Sequence, residues 1–160
     1  MADPTIPGDV TTCQDDDTVS ASVVVDATPA AIFDFVRRPA NHAIISGDRS
    51  VKGVRFGPEV LGAGDKFGMS MKLLGVPYRI SSRVVEFEED RCIAWAHVGR
   101  HRWRWEVQAA GTGGSTVTET FDLSTAAAPP ALRIFGYPGR HLSNVAESVE
   151  RVRVHFAADA

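Results

Sequence analysis

Several stretches of the chain alternate apolar and polar residues at every second position, which is typical of β-strands with one buried face. The stretch RHRWRWEVQ (residues 100–108) shows the alternation most clearly, with basic side chains on one count and indole rings on the other. The pattern predicts strands at about residues 18–25, 51–56, 65–74, 78–87, 92–98, 101–109 and 116–124. The later strands must be antiparallel neighbours, because their connections are too short for a parallel crossover.

Three segments change to a period of three or four residues, which predicts helices. Thr28 and Pro29 fit the N-cap and first position of a short helix, and residues 40–46 fit a second one. From Pro138 to Phe156 an apolar stripe predicts a helix of up to about 20 residues. We therefore predict an α+β fold. In it a curved antiparallel sheet of about seven strands wraps around the long C-terminal helix, with two short helices after the first strand.

The first 17 residues contain two prolines and a run of aspartates and few bulky apolar residues, so we expect a disordered leader at 1–17. Residues 18–158 then form a single ligand-binding domain. The leader has no signal-peptide pattern and no apolar run approaches the ~20 residues of a membrane span, so we predict a cytoplasmic protein. Cys13 and Cys92 are the only cysteines, and we predict that both are free thiols.

The alternation of tryptophan and arginine allows two interpretations. It is either a nucleic-acid-binding surface or a single strand with one basic and one apolar face. The formal net charge is −3, which does not favour a polyanionic partner. Strand parity places Trp103 and Trp105 on the helix-facing side and Arg102 and Arg104 in solvent. We therefore predict no nucleic-acid partner.

Inward positions on neighbouring strands should line a mostly apolar cavity, the usual form of a small-molecule site. The predicted ligand-binding residues are Met69, Met71, Trp95, Trp103, Trp105, Phe121 and, in a Pro/Gly-rich segment, Tyr137. The sequence contains no histidine or cysteine spacing typical of metal ligands and no glycine-rich phosphate loop before a helix. No metal and no cofactor are predicted.

Two inward polar residues are candidates for acid–base chemistry. Glu119 shares its face with Val117 and Phe121, and burial would raise the pKa of its carboxyl towards neutrality. His97 shares the face of Trp95 and has a convenient intrinsic pKa. The structural alternatives for Glu119 are pairing with an arginine and a strand twist that turns this position to the rim of the cavity. The structural alternative for His97 is a position at the solvent-exposed end of its strand, with His101 as its partner. The sequence leaves these alternatives open.

Four stretches carry a resemblance to a known superfamily: residues 61–95, 102–108, 113–124 and 136–152. They resemble the START-like helix-grip proteins, or SRPBCC superfamily, in the bacterial branch of polyketide cyclases/dehydrases and lipid-transport-like proteins. The resemblance implies one of two functions. The first is binding of a hydrophobic or aromatic molecule, lipid- or polyketide-like. The second is cyclase/dehydratase-type catalysis with Glu119 or His97. An interaction domain and a homodimer stay open.

Overall fold

The computed structural model describes residues 9–127, 129–134, 136 and 138–158 of the chain. The strands in this part are β1 Thr11–Gln14, β2 Thr18–Val25, β3 Val51–Phe56, β4 Lys66–Leu73, β5 Val76–Glu88, β6 Cys92–Ala96, β7 Arg102–Ala110 and β8 Gly114–Asp122. They form one sheet in the order β1-β2-β8-β7-β6-β5-β4-β3, with antiparallel pairing throughout. The predicted antiparallel sheet is confirmed, and the predicted strands lie within a few residues of the observed ones.

The prediction of a disordered leader at 1–17 is wrong for four residues. Thr11–Gln14 form β1 and pair with the outer edge of β2. This strand makes the sheet eight-stranded instead of seven-stranded. An unpaired edge of β2 would leave backbone N–H and C=O groups without partners, and β1 supplies them. The Asp15 carboxylate accepts from the backbone N–H groups of Asp17 and Thr18, which fixes the turn into β2. Residues 1–8 of the predicted leader lie outside the described residues.

The helices in the described ranges are α1 Pro29–Val36, α2 His42–Ile45, α3 Pro129–Ile134 and α4 Leu142–Ala158, with 3-10 turns at Pro39–Asn41 and Gly139–His141. The Thr28 hydroxyl caps α1 by accepting from the N–H of Ala31, and Pro29 occupies the first turn, as predicted. None of these helices combines the length and apolarity that crossing a membrane requires. Cys13 and Cys92 are free, as predicted.

The apolar stripe of α4 packs mainly against β2 and β8. Val145, Val149 and Val152 are fully buried on the helix side of this contact. Their spacing of three and four residues keeps them on one helix face, which is why the stripe could be predicted from sequence. The helix therefore covers the β2 and β8 part of the sheet. The inner faces of β4 to β7 lie beyond this contact.

One end of the sheet is closed by phenylalanine rings from α1, β5 and α4, which we call the closed end. Phe33 of α1 meets Phe87 of β5 edge to face with ring centroids 5.6 Å apart. Phe35 contacts Phe156 of α4 in the same geometry and stacks on His155. These edge-to-face and stacked contacts are favourable arrangements for buried rings. The opposite end of the sheet stays open.

Candidate functional site

A cavity of about 510 Å³ lies between the inner face of the sheet and the N-terminal half of α4. This volume is within the range of roughly 300–1,000 Å³ that small-molecule sites occupy. Apolar and aromatic side chains make up much of the wall, including Phe67, Met69, Met71, Trp95, Trp103 and Trp105. We call this end of the molecule the cavity end.

The structure brings most of the predicted ligand-binding residues together. Met69, Met71, Trp95, Trp103 and Trp105 all line the cavity. They do so because the pleat of β4, β6 and β7 turns alternate side chains to the same face.

The other two predicted ligand-binding residues have different outcomes. Phe121 is fully buried in the layer behind the wall, with its ring 4.8 Å from that of Trp103. The strand parity was therefore right, but the side chain supports the wall and does not form its surface. Tyr137 lies outside the described residues.

The basic face of β7 points away from the cavity. Arg104 forms ion pairs with Glu86 of β5 and with Glu106 of its own strand, at 3.1 and 2.5 Å. Hydrogen bonds from Arg104 are the main cause that lowers the pKa of both carboxyls. The Trp-Arg alternation is thus one strand with an ion-paired outer face and an aromatic inner face.

Glu119 of β8 lies in the cavity wall and is only 5% exposed. Burial raises the pKa of its carboxyl well above the usual value, and the nearby charge of Asp48 adds to the increase. A hydrogen bond from the Ser148 hydroxyl of α4 acts in the opposite direction. The Ser148 oxygen in turn accepts from the N–H of Gly47 at 3.1 Å. The part of the chain that the structure describes contains no ion pair to Glu119, so the alternative of a partner arginine is not observed.

Three buried polar atoms of the cavity wall have no hydrogen-bond partner within the described ranges. They are Oε2 of Glu119, Nε1 of Trp105 and Nδ1 of His101. Buried polar groups are nearly always hydrogen-bonded in native proteins, so such atoms need an explanation such as water or a ligand. All three side chains belong to the lining of the cavity.

His97 follows the end of β6 and is half-buried at the cavity. Its Nδ1 lies 2.8 Å from the Ser82 hydroxyl, and its ring meets that of His101 edge to face at 5.2 Å. Burial lowers the pKa of His97 to about 4, and the neighbouring His101 contributes. Burial also lowers the pKa of His101, and it lowers that of His141 to about 4. Near neutral pH these three imidazoles are uncharged.

Sequence analysis missed the polar face of α4 and of the turn before it. His141, Asn144 and Ser148 recur at intervals of three and four residues beside the apolar stripe, and all three line the cavity. That spacing was the available signal, because it puts three polar groups on one face, beside the apolar stripe of α4. Asn144 also accepts from the backbone N–H of Asp48, so α4 holds the loop after α2.

His42 is a second missed residue of the wall. Its ring is buried and stacks on Trp95 with centroids 4.7 Å apart, and its Nε2 lies 2.9 Å from the carbonyl oxygen of Val36. Burial lowers the pKa of His42 to about 4. A lone histidine at the start of a four-residue helix gives no periodic signal, so the sequence could not place it.

The comparisons with known proteins agree with this architecture. The family model described as polyketide cyclase/dehydrase and lipid transport matches residues 16–151, which is most of the chain. The chain belongs to this family. An uncharacterized protein of Mycobacterium tuberculosis, Rv0088, is 40% identical over 129 residues, which are 80% of this chain and 58% of that protein. The chain thus spans less than two thirds of the length of this relative.

Solved structures of the family share the fold at low sequence identity. The Zhui aromatase/cyclase from Streptomyces sp. R1128 matches with a TM-score of 0.66 and 16% identity, covering 88% of this chain and 93% of that one. A START superfamily protein from Mycobacterium smegmatis matches with a TM-score of 0.63 and 15% identity, covering 87% and 98%. These matches confirm the predicted START-like helix-grip fold.

Proposed function

We propose that the protein binds one hydrophobic or aromatic small molecule, lipid- or polyketide-like, in the cavity between the sheet and α4. The observation that carries this proposal is an open cavity of about 510 Å³ with indole and thioether walls. Flat rings and flexible methionines offer apolar contact to ligands of varied shape. The polar groups of the wall would orient the guest, as in most small-molecule sites.

A fluorescent probe tests this proposal. N-phenyl-1-naphthylamine is neutral and apolar, and its emission rises when it leaves water. We expect saturable binding of one probe per chain. Met71→Trp should weaken binding at least about tenfold, because the larger side chain fills the cavity that Met71 lines.

Val24→Trp is the matched control for this experiment. It adds an indole at a position that is 62% exposed and outside the cavity wall. We expect this variant to bind like the wild type. Equal affinities of the wild type and Met71→Trp, or no saturable binding by the wild type, would contradict the proposal.

A second candidate function is cyclase/dehydratase-type catalysis with Glu119 as the acid. The observation that favours it is a buried carboxyl in the cavity wall, whose pKa is raised well above its usual value by burial. Such a group can give a proton to a bound molecule. His97 fits this role less well, since the hydroxyl of Ser82 engages its Nδ1 and its lowered pKa leaves it uncharged.

Glu119→Gln separates catalysis from binding. The amide keeps the shape of the side chain and cannot donate a proton to the bound molecule. If the protein turns over a compound, we expect this variant to bind it and to lose turnover by 100-fold or more, in line with the usual contribution of about 10²–10⁴ from a general acid. Unchanged turnover excludes Glu119 as the acid.

A further inference from the structure

The hairpin between β4 and β5 ends in an exposed apolar tip. Leu73 of β4 pairs with Val76 of β5, so only Leu74 and Gly75 form the turn. Leu74 is 95% exposed and Val76 is 65% exposed. Leu73 and Tyr78, which belong to the same hairpin, are exposed as well. Single exposed apolar residues are common on protein surfaces, but a contiguous patch of them marks an interaction site.

The turn itself does not favour a leucine. Leu74 has a φ of 49° and Gly75 has a φ of 86°, so both residues lie in the left-handed region. Two-residue hairpin turns of this kind favour Asn-Gly, because asparagine and glycine tolerate a positive φ and a bulky apolar residue does so poorly. Neither the backbone nor packing against the described residues accounts for the leucine. Its apolar surface is available to a partner outside the chain.

The tip lies beside the cavity. β5 pairs with β6 only from Arg83 onwards, so the part of the hairpin before Arg83 extends beyond the end of β6. Leu73 and Tyr78 line the cavity from this side, and Val98, in the connection after β6, lines it as well. Val98 is exposed like the tip of the hairpin. These exposed apolar side chains therefore border the cavity on its solvent side.

The hairpin is also positively charged. Residues 66–83 contain two lysines, two arginines and no acidic residue, although the whole chain has a formal net charge of −3. Lys72 and Arg79 are diagonal neighbours on one face of the hairpin, because Lys72 pairs with Pro77. Both are exposed, and neither takes part in an ion pair among the residues that the structure describes. The free charges favour an anionic partner.

We propose that the hairpin between β4 and β5 docks the protein on a lipid membrane that carries anionic headgroups. Leu74 and Val76 enter the apolar edge of the bilayer, and Lys72 and Arg79 contact the headgroups. Burial of apolar side chains and attraction of basic residues to anionic lipids are the forces that hold proteins at a membrane surface. The inference goes beyond the proposed function, because docking does not depend on whether the cavity holds a ligand.

Sedimentation with phospholipid vesicles tests the inference. We expect the wild type to bind vesicles of phosphatidylcholine with about 30% phosphatidylglycerol, and to bind phosphatidylcholine alone at least about fivefold more weakly. Leu74→Asn should weaken binding to the anionic vesicles at least about tenfold, because it removes the inserted apolar side chain. The variant should fold at least as stably as the wild type, since an asparagine before Gly75 suits this turn.

Val76→Thr and Val24→Thr form a matched pair of variants. Both valines lie in strands and are almost equally exposed, at 65% and 62%, but Val24 belongs to β2 and not to the hairpin. We expect Val76→Thr to weaken vesicle binding several-fold and Val24→Thr to leave it unchanged. Equal effects of the two variants would overturn the assignment to the hairpin.

The double variant Lys72→Gln, Arg79→Gln tests the electrostatic part. It removes two charges that attract anionic headgroups, so the preference for anionic over neutral vesicles should fall several-fold. Retention of the full preference by this variant would contradict the contact between these side chains and the headgroups.

Two further measurements separate the alternatives. Sedimentation of the wild type with neither kind of vesicle overturns the inference, as does unchanged binding by Leu74→Asn. Static light scattering tests whether a second copy covers the tip, and a wild-type dimer that becomes a monomer in Leu74→Asn also overturns the inference. Leu74 is outside the cavity wall, so Leu74→Asn should bind N-phenyl-1-naphthylamine like the wild type. A loss of vesicle binding with intact probe binding in the wild type therefore contradicts docking and leaves the proposed function standing.

Discussion

The closed end and the cavity end are both rich in aromatic rings but differ in which rings predominate. At the closed end Phe33 packs on Phe87, and Phe35 packs on Phe156. At the cavity end most of the rings are tryptophans and histidines, with Phe67 and Tyr78 among them, and they surround a volume of about 510 Å³. A phenyl ring has no polar atom, so it can be buried completely without a hydrogen-bond partner.

The indole and imidazole rings of the cavity end need partners for their nitrogen atoms. Some of these partners are protein groups, such as Ser82 for His97 and the Val36 carbonyl for His42. The nitrogen of Trp105 has none among the residues that the structure describes. The comparison teaches that the closed end buries mainly rings without polar atoms, whereas the cavity end buries polar atoms without partners at a cost to stability.

The largest effect is expected when a ring of the closed end is removed. Phe33 is 1% exposed and packs on Phe87, so Phe33→Ala leaves a void that its neighbours cannot fill. We expect a loss of about 3–5 kcal/mol in the free energy of unfolding, measured by urea denaturation. A loss below about 1 kcal/mol would show that the closed end is not the packed part of the core.

A smaller effect is expected from the pH dependence of the cavity end. The pKa of His42 is about 4 in the folded protein and near 6.5 in an unfolded chain, because burial disfavours the charged ring. Between these values the unfolded chain binds the proton more readily, so stability falls as the pH drops from about 6.5 to 4. For His42 alone the loss amounts to roughly 3 kcal/mol.

His42→Phe tests this pH dependence, because it keeps a ring against Trp95 and removes the titrating group. Urea denaturation of the variant at pH 7 and at pH 4.5 should show a clearly smaller acid-induced loss than the wild type shows. The pH 7 measurement serves as the control. At this pH the difference in unfolding free energy between the two proteins reflects the lost hydrogen bond to Val36 and not the titration of His42. An identical acid-induced loss in both proteins would contradict the account of His42.

The smallest effect on stability is expected for a ring of the cavity wall. Trp103 is half-buried and lines an open volume, so Trp103→Ala should cost only roughly 1 kcal/mol of unfolding free energy. The same variant should weaken the binding of N-phenyl-1-naphthylamine several-fold, because it removes apolar wall. A stability loss as large as that of Phe33→Ala would erase the distinction between the two ends.

Much of the fold could be predicted because strand parity and helical periodicity are local patterns. Parity placed Trp105 and Glu119 on the inner face, and the cap at Thr28 fixed the start of α1. The strand at Thr11–Gln14 could not be predicted, because its pairing depends on the free edge of β2 and not on its own composition. Which side chains reach the cavity surface also depends on packing depth, and therefore Phe121 was misplaced.

The polar partners of Glu119 illustrate the limit of sequence analysis at the site. Ser148 lies 29 positions further along the chain on another element, and Gly47 comes from a loop near α2. Their meeting depends on how α4 crosses the sheet, which no local pattern contains. The sequence therefore predicted the carboxyl and its burial but not the contacts that orient it.

The most direct test of the central claim is a crystal structure of the protein grown with 2-bromonaphthalene, with anomalous data collected at the bromine edge. The account predicts a bromine peak inside the cavity, between the wall of β4 that carries Met71 and the wall of β7 that carries Trp103. Bromine peaks confined to the outer surface, with the cavity side chains closed against α4, would contradict it.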